Sequence, residues 1–312
     1  MRFQNKIIKS SFVMALASLF IHTSALADEP IKVVTTFSIL GDMVERVGGE
    51  HVSNISLVGR NGDAHVYQPT PTAAKAVKEA DILFLNGLEF EGWLERLSEA
   101  SGFDGSLVVV TNGINAIAFE EHDDHKEHDD HANHDHGSFD PHAWLSPILA
   151  ITYVDNITAA LAEADPENAS VFYQNRVDYV AQIKALDREI KSMMAKLPDN
   201  KRVVITSHDA FQYFGRDYGL EFKAPQGMST DSEASAKDVA RLIEQIRDHN
   251  ISAVFIENIT DSRLMKQIAN ETGAKIGGTL YPGALSQEDG PAATYLDLLR
   301  HNAKTLATAL GS

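Results

Sequence analysis

The chain has 312 residues, with 27 lysine and arginine residues, 44 aspartate and glutamate residues and a net charge of −17. It has no cysteine, which excludes disulfide bonds, thiolate metal sites and a lipid-modified cysteine at a cleavage point. The acidic balance disfavours nucleic acid and anionic membranes as partners and favours cations.

Residues 1–27 have the composition of a secretory signal peptide. Arg2, Lys6 and Lys9 form a basic start, residues 11–21 are mostly apolar, and residues 25–27 match a small-residue cleavage site. The alternative is a membrane anchor, but the apolar run is shorter than the ~20 residues that a spanning helix needs. We therefore expect cleavage and export to a periplasm of the Gram-negative type, which brings the net charge near −20 because the segment carries three cations and no acid.

The rest of the chain has the length of two ordinary domains. In residues 28–165, short β-branched runs alternate with helical patterns, which predicts an α/β lobe with a mainly parallel sheet. Its predicted strands cover 31–36, 52–58 and 81–86, and its helices start near 39 and cover 72–79 and 147–163. The alternation returns in residues 198–312 and predicts a second lobe, with strands at 202–206 and 253–256 and helices at 238–248, 262–272 and 295–310.

Residues 166–197 form the link between the two predicted lobes. They contain no glycine and keep apolar residues at helical spacing up to Lys196. A helix of ~30 residues would be ~45 Å long, which exceeds one small lobe. The pattern therefore predicts a connecting helix, with two ordinary helices in one domain as the alternative.

The loop at residues 119–139 is rich in histidine and acid. Between Glu120 and His136, eight acidic residues are interleaved with six histidines. Such a run has no apolar face to bury, and imidazole and carboxylate are both metal ligands. The alternative is a solvated charge run. We interpret this tract as a set of auxiliary metal sites formed by His122, His125, His128, His131, His134 and His136.

Three other histidines each follow a strand-like run: His65, His142 and His208. Loops at the carboxyl ends of parallel strands meet at one place, so residues far apart in sequence can form one site there. An aspartate stands two residues before both His65 and His142. It could orient the imidazole as a hydrogen-bond acceptor, or it could only form a turn.

Six motifs together resemble cluster A-I, the zinc and manganese solute-binding proteins of bacterial ABC importers. They are VTTFSI at 34–39, DAHVYQPTP at 63–71, NGLEFEGW at 86–93, DPHAWL at 140–145, SHDAF at 207–211 and DGP at 289–291. The resemblance implies two α/β lobes, a rigid connecting helix and one metal site in the cleft between the lobes. It also implies that His65 and His142 are ligands from the first lobe and His208 a ligand from the second.

The third ligand position bears on the choice of metal. The resemblance implies that relatives which prefer manganese have a carboxylate at this position. Zn²⁺, in contrast, accepts three imidazoles in a tetrahedral site. His208 therefore predicts Zn²⁺.

Many relatives have an aspartate ligand where this chain has Gly283. We expect Asp231 to replace it, as in the AztC-type zinc-binding branch, with Glu233 or water as alternatives. The other interpretation of Asp231 is a helix cap.

The resemblance implies a zinc-binding protein that delivers its ion to an ABC permease and is not an enzyme. It leaves room for a periplasmic zinc metallochaperone as a second partner, and we expect a monomer. One rival is a periplasmic zinc hydrolase with Glu257 or Asp209 as general base, although the chain has no His-Glu-x-x-His motif. Another rival is a passive zinc buffer that uses only the tract.

Overall fold

The computed structural model describes residues 29–118 and 139–311. The predicted signal peptide and the six tract histidines lie outside these residues, so the predictions about them stay predictions. Within the two described ranges, no helix combines the length and the apolar character that crossing a membrane requires.

The first lobe is built on a four-stranded parallel sheet with strand order β2-β1-β3-β4. Its central strand is rich in β-branched residues and is almost fully buried, as expected for a parallel sheet covered on both faces. Its elements are β1 (Ile31–Phe37), α1 (Ser38–Gly48), β2 (Val52–Val58), α2 (Pro71–Lys78), β3 (Ile82–Leu85), α3 (Leu94–Ser101), β4 (Ser106–Val109) and α4 (Pro147–Ala164).

The link is one continuous helix, α5 (Ala169–Met194), of 26 residues. The alternative of two separate helices is therefore wrong. At 1.5 Å per residue the helix is about 39 Å long. Its start is fixed by Asp165, whose carboxylate accepts hydrogen bonds from the Asn168 backbone N–H at 3.1 Å and from the Asn168 side chain at 2.7 Å.

The second lobe repeats the architecture of the first, with a four-stranded parallel sheet of order β6-β5-β7-β8. The predicted fold class of two α/β lobes with parallel sheets is thus confirmed. The elements are β5 (Val203–Ile205), α6 (Gln212–Tyr218), β6 (Glu221–Lys223), α7 (Ala236–Asp248), β7 (Ala253–Glu257), α8 (Arg263–Thr272), β8 (Lys275–Leu280) and α9 (Tyr295–Leu310).

The two lobes share one hydrophobic core. Helix α5 packs against α1 and α4 of the first lobe and against α6 and α9 of the second. The buried cluster runs without interruption from Phe37 and Trp144 to Tyr213 and Tyr295. A smaller cluster, between β5, β7, α7 and α8, belongs to the second lobe alone. Because the lobes are packed through a common core, residues on the facing strand ends have fixed relative positions.

Candidate metal centre

Three histidine side chains from separate loops meet in the cleft between the lobes. His65, His142 and His208 each offer a ring nitrogen, and these nitrogens all lie within 4.8 Å of one another. The ring centroids are 5.3 to 5.6 Å apart, which is close to an equilateral triangle. Within the two described stretches, this is the only group of three or more histidine, aspartate or glutamate residues close enough to hold one ion. The sequence had predicted these three residues as one site.

His142 is oriented by the aspartate two residues before it. The Asp140 carboxylate lies 2.8 Å from Nδ1 of the ring and also accepts the His142 backbone N–H at 2.9 Å. Nδ1 therefore carries the proton, which leaves the lone pair of Nε2 free for a metal. That Nε2 atom lies 3.3 Å from Nε2 of His65. Asp140 thus has the orienting role, whereas Asp63 binds the backbone N–H of His65 at 3.0 Å and forms a turn.

His208 is oriented by a carboxylate from a neighbouring strand. Oε2 of Glu257, the last residue of β7, lies 2.5 Å from His208 Nδ1, and its Oε1 accepts the backbone N–H groups of Ser207 and His208. Nε2 of His208 is buried and has no hydrogen-bond partner. A buried nitrogen without a partner is costly unless a ligand completes it. This atom is therefore available to a ligand in the cleft.

The loop that holds His65 rests on a strained turn of the first lobe. Gly87, Leu88 and Glu89 have φ angles of 84°, 54° and 62°, a left-handed conformation that non-glycine residues rarely adopt. The buried Glu91 carboxylate stabilises it by accepting the backbone N–H of Asn86 at 2.7 Å and of Gly87 at 3.1 Å. The turn presents Phe90, whose ring lies 4.8 Å from the ring of His65. In the sequence, this motif at 86–93 contributes to the family resemblance but predicts no structural role.

Burial and charge give the three imidazoles different pKa values. Burial lowers the pKa of His65 and of His142 well below the ordinary value, so both rings are neutral and able to bind metal. Burial also acts to lower the pKa of His208, but the adjacent Glu257 carboxylate outweighs it and the net pKa is raised. Burial raises the pKa of Asp140 to about 7. Without metal, His208 is thus the ring that most readily holds an extra proton.

Asp231 does not join the three histidines. Its side chain is exposed, and its backbone N–H bonds the Ser229 hydroxyl at 3.3 Å. The cap of α7 is Ser235, whose hydroxyl accepts the Asp238 N–H, so the structure does not support a capping role for Asp231 either. The neighbouring Thr230 hydroxyl donates to Asp63 at 2.5 Å and ties this loop to the first lobe. The ligand role of Asp231 stays a prediction.

A cluster of three imidazoles between two α/β lobes, two of them buried and the His65 ring partly exposed, defines a metal-binding protein of the two-lobed, substrate-binding class. The pattern of the family described as "ZnuA: Zinc-uptake complex component A periplasmic" matches residues 33–309, and the chain belongs to that family. Its members are the metal-binding components of ABC transporters, which work with a membrane permease and an ATPase. They are transport proteins and not enzymes, so the zinc hydrolase alternative is wrong.

Individual relatives carry the names of different metals. The chain is 33% identical over 307 residues to the iron-binding protein YfeA of Yersinia pestis, covering 96% of this chain and 95% of that protein. It is 32% identical over 282 residues to the manganese-binding lipoprotein MntA of Halalkalibacterium halodurans, covering 90% and 89%. The periplasmic zinc-binding protein TroA of Treponema pallidum superposes with a TM-score of 0.82 at 29% identity, covering 90% and 99%. Family membership thus establishes metal binding but not which metal is bound.

Proposed function

We propose that this protein captures Zn²⁺ in the periplasm and delivers it to the permease of an ABC importer. The observation that carries the choice of metal is the composition of the site, which has three imidazoles and no carboxylate among the grouped side chains. Manganese prefers oxygen ligands, whereas zinc is held by three histidines in many proteins. A tetrahedral zinc site with Zn–N bonds of 2.0–2.1 Å places two nitrogens about 3.3–3.4 Å apart. The 3.3 Å between the Nε2 atoms of His65 and His142 agrees with that spacing.

The fourth ligand in this proposal comes from the loop between β6 and α7. Asp231 is our first choice, with Glu233 or a water molecule as alternatives, and both side chains are exposed in the structure. Thr230, next to Asp231, already contacts Asp63 of the first lobe. A modest rotation of the loop about this contact would move Asp231 towards the cleft. Release to the permease would reverse that movement, because the shared core leaves little freedom for the lobes to separate.

The histidine tract has an auxiliary role in this proposal. Its imidazoles and carboxylates collect ions or accept them from a partner such as a zinc metallochaperone. The protein acts as a monomer after removal of residues 1–27. The AztC-type branch remains our assignment within the family, resting on the absence of a ligand at Gly283. An added Cβ at that position would contact only Ile259, at 3.6 Å. Gly283 therefore leaves room for a side chain but supplies no metal-ligating atom itself.

Competitive titration with zinc and manganese tests this proposal. We expect the full chain and a variant lacking residues 121–136 each to retain one tight zinc equivalent, and manganese to bind that site at least about 100-fold more weakly. Copper and nickel are unsuitable for the comparison, since both bind imidazole tightly in vitro. Equal affinity for manganese would refute the metal assignment. Loss of all tight zinc in the deletion variant would instead favour a buffer that uses the tract.

A further inference from the structure

Tyr213 of the second lobe contacts the two chain segments on either side of residues 119–138. Its side chain is fully buried, and its hydroxyl contacts two backbone groups of the first lobe. The Ile117 N–H donates to the hydroxyl oxygen at 3.0 Å, and the hydroxyl donates to the Asp140 carbonyl at 2.7 Å. These are the two chain segments that flank residues 119–138.

The hydroxyl occupies a place that a backbone hydrogen bond would normally fill. In an antiparallel pair, two facing residues exchange two N–H···O bonds. Ile117 and Asp140 make one of them directly, from the Asp140 N–H to the Ile117 carbonyl at 2.9 Å, beside the antiparallel bridge between Ala118 and Phe139. The other bond runs through Tyr213. The tyrosine therefore sets how far apart the two segments lie and fixes the backbone of Asp140.

Asp140 in turn determines the position of His142. Its carboxylate holds both the backbone N–H and the Nδ1 atom of that histidine. Asn86 supports the same segment by donating to the Pro141 carbonyl at 3.0 Å. Tyr213 differs from Asn86 because it belongs to the other lobe, on the helix that follows His208. It thus joins the loop of one predicted ligand to the element that comes after another.

We infer that Tyr213 is a positioning residue for the metal centre, which acts through the backbone of Asp140 to hold the His142 ring in its coordinating orientation. The inference rests on the proposed role of His142 as a ligand. It requires that loss of the hydroxyl change the geometry and affinity of the metal site, and not only the stability of the fold.

Replacing Tyr213 by Phe, with Tyr218→Phe as the matched control, tests this inference. Tyr218 lies on the same helix and is also buried, but its hydroxyl donates to Asp187 at 3.2 Å. That carboxylate pairs with Lys191 within α5 and not with the metal centre. We expect Tyr213→Phe to weaken zinc binding roughly tenfold, as loss of groups that orient a ligand does, mainly through faster dissociation. The visible absorption bands of bound Co²⁺ should shift as well. Tyr218→Phe should leave both readouts unchanged.

Identical zinc affinities and Co²⁺ spectra for the two variants would overturn the inference while leaving zinc binding by the wild-type chain intact. Absence of zinc binding in the wild type would instead refute the proposed function. Hydrogen exchange of the wild-type protein gives a second test that needs no variant. The Ile117 and Asp140 amides should be protected before metal is added, and exchange at the rate of free amides would also overturn the inference.

Discussion

Replacing His208 by Ala is expected to weaken zinc binding by more than about 100-fold, beyond the ~10–100-fold loss that follows removal of a group that only orients a ligand. His208 supplies one of three imidazoles, and its buried Nε2 has no other partner. Isothermal titration in competition with a chelator measures the loss. Retention of one tight zinc equivalent with unchanged affinity would show that the cleft is not the tight site.

The His208→Ala experiment needs two controls because the side chain also has a structural role. Its loss leaves the Glu257 carboxylate buried without its partner, which costs about 3–5 kcal/mol of folding free energy. Thermal unfolding of the metal-free variant measures this cost separately from binding. His249→Ala serves as the matched control, since that exposed histidine follows α7 away from the site, and we expect it to bind zinc like the wild type.

Replacing Glu257 by Gln is expected to lower zinc affinity by roughly 10–100-fold at pH 8. The glutamine can still accept the backbone N–H groups of Ser207 and His208 through its oxygen. Its amide nitrogen then faces Nδ1 as a donor, which forces the ring proton onto Nε2, the nitrogen that we propose as the metal ligand. Titration of the metal-free and zinc-loaded forms by NMR would report the tautomer directly.

The same variant should also change how zinc affinity depends on pH. In the wild type, the raised pKa of His208 means that zinc must displace a proton, so affinity falls as the pH drops through that pKa. Without the Glu257 charge, only the Asp63 and Asp209 carboxylates oppose the effect of burial, so the pKa of His208 falls. We therefore expect a flatter profile above pH 6.5 in the variant. Glu221→Gln, which alters an exposed ion pair with Lys223, should keep the wild-type profile, and a parallel decline in both variants would contradict this explanation.

The sequence predicted the long elements and the histidines for clear physical reasons. The 26-residue helix α5 has an uninterrupted apolar periodicity, and the three histidines each follow a strand-like run whose end must face the cleft. The strands that sequence reasoning missed carry little signal. Strand β6 has only three residues, β8 contains Gly277 and Gly278, and β4 is a half-exposed edge of four residues.

The residues that orient the three histidines cannot be read from the sequence because they act through tertiary contacts. Sequence reasoning presents Glu257 only as a possible base. The signal for its orienting role is that an acid ends the buried strand β7, which pairs with β5, the strand before His208. Tyr213 acts through a hydroxyl that reaches another lobe, which no local pattern encodes. The left-handed turn before Glu91 likewise depends on a carboxylate that binds backbone groups four and five residues earlier.

X-ray diffraction at the zinc absorption edge, on crystals of the zinc-loaded chain lacking residues 121–136, tests the central claim most directly. The deletion removes the tract histidines, so every strong anomalous peak must come from the remaining residues. We expect one such peak, bonded to the Nε2 atoms of His65, His142 and His208 at about 2.0–2.1 Å. A zinc ion bound elsewhere, with Nε2 of His208 left without a metal, would contradict the assignment of the cleft as the zinc site.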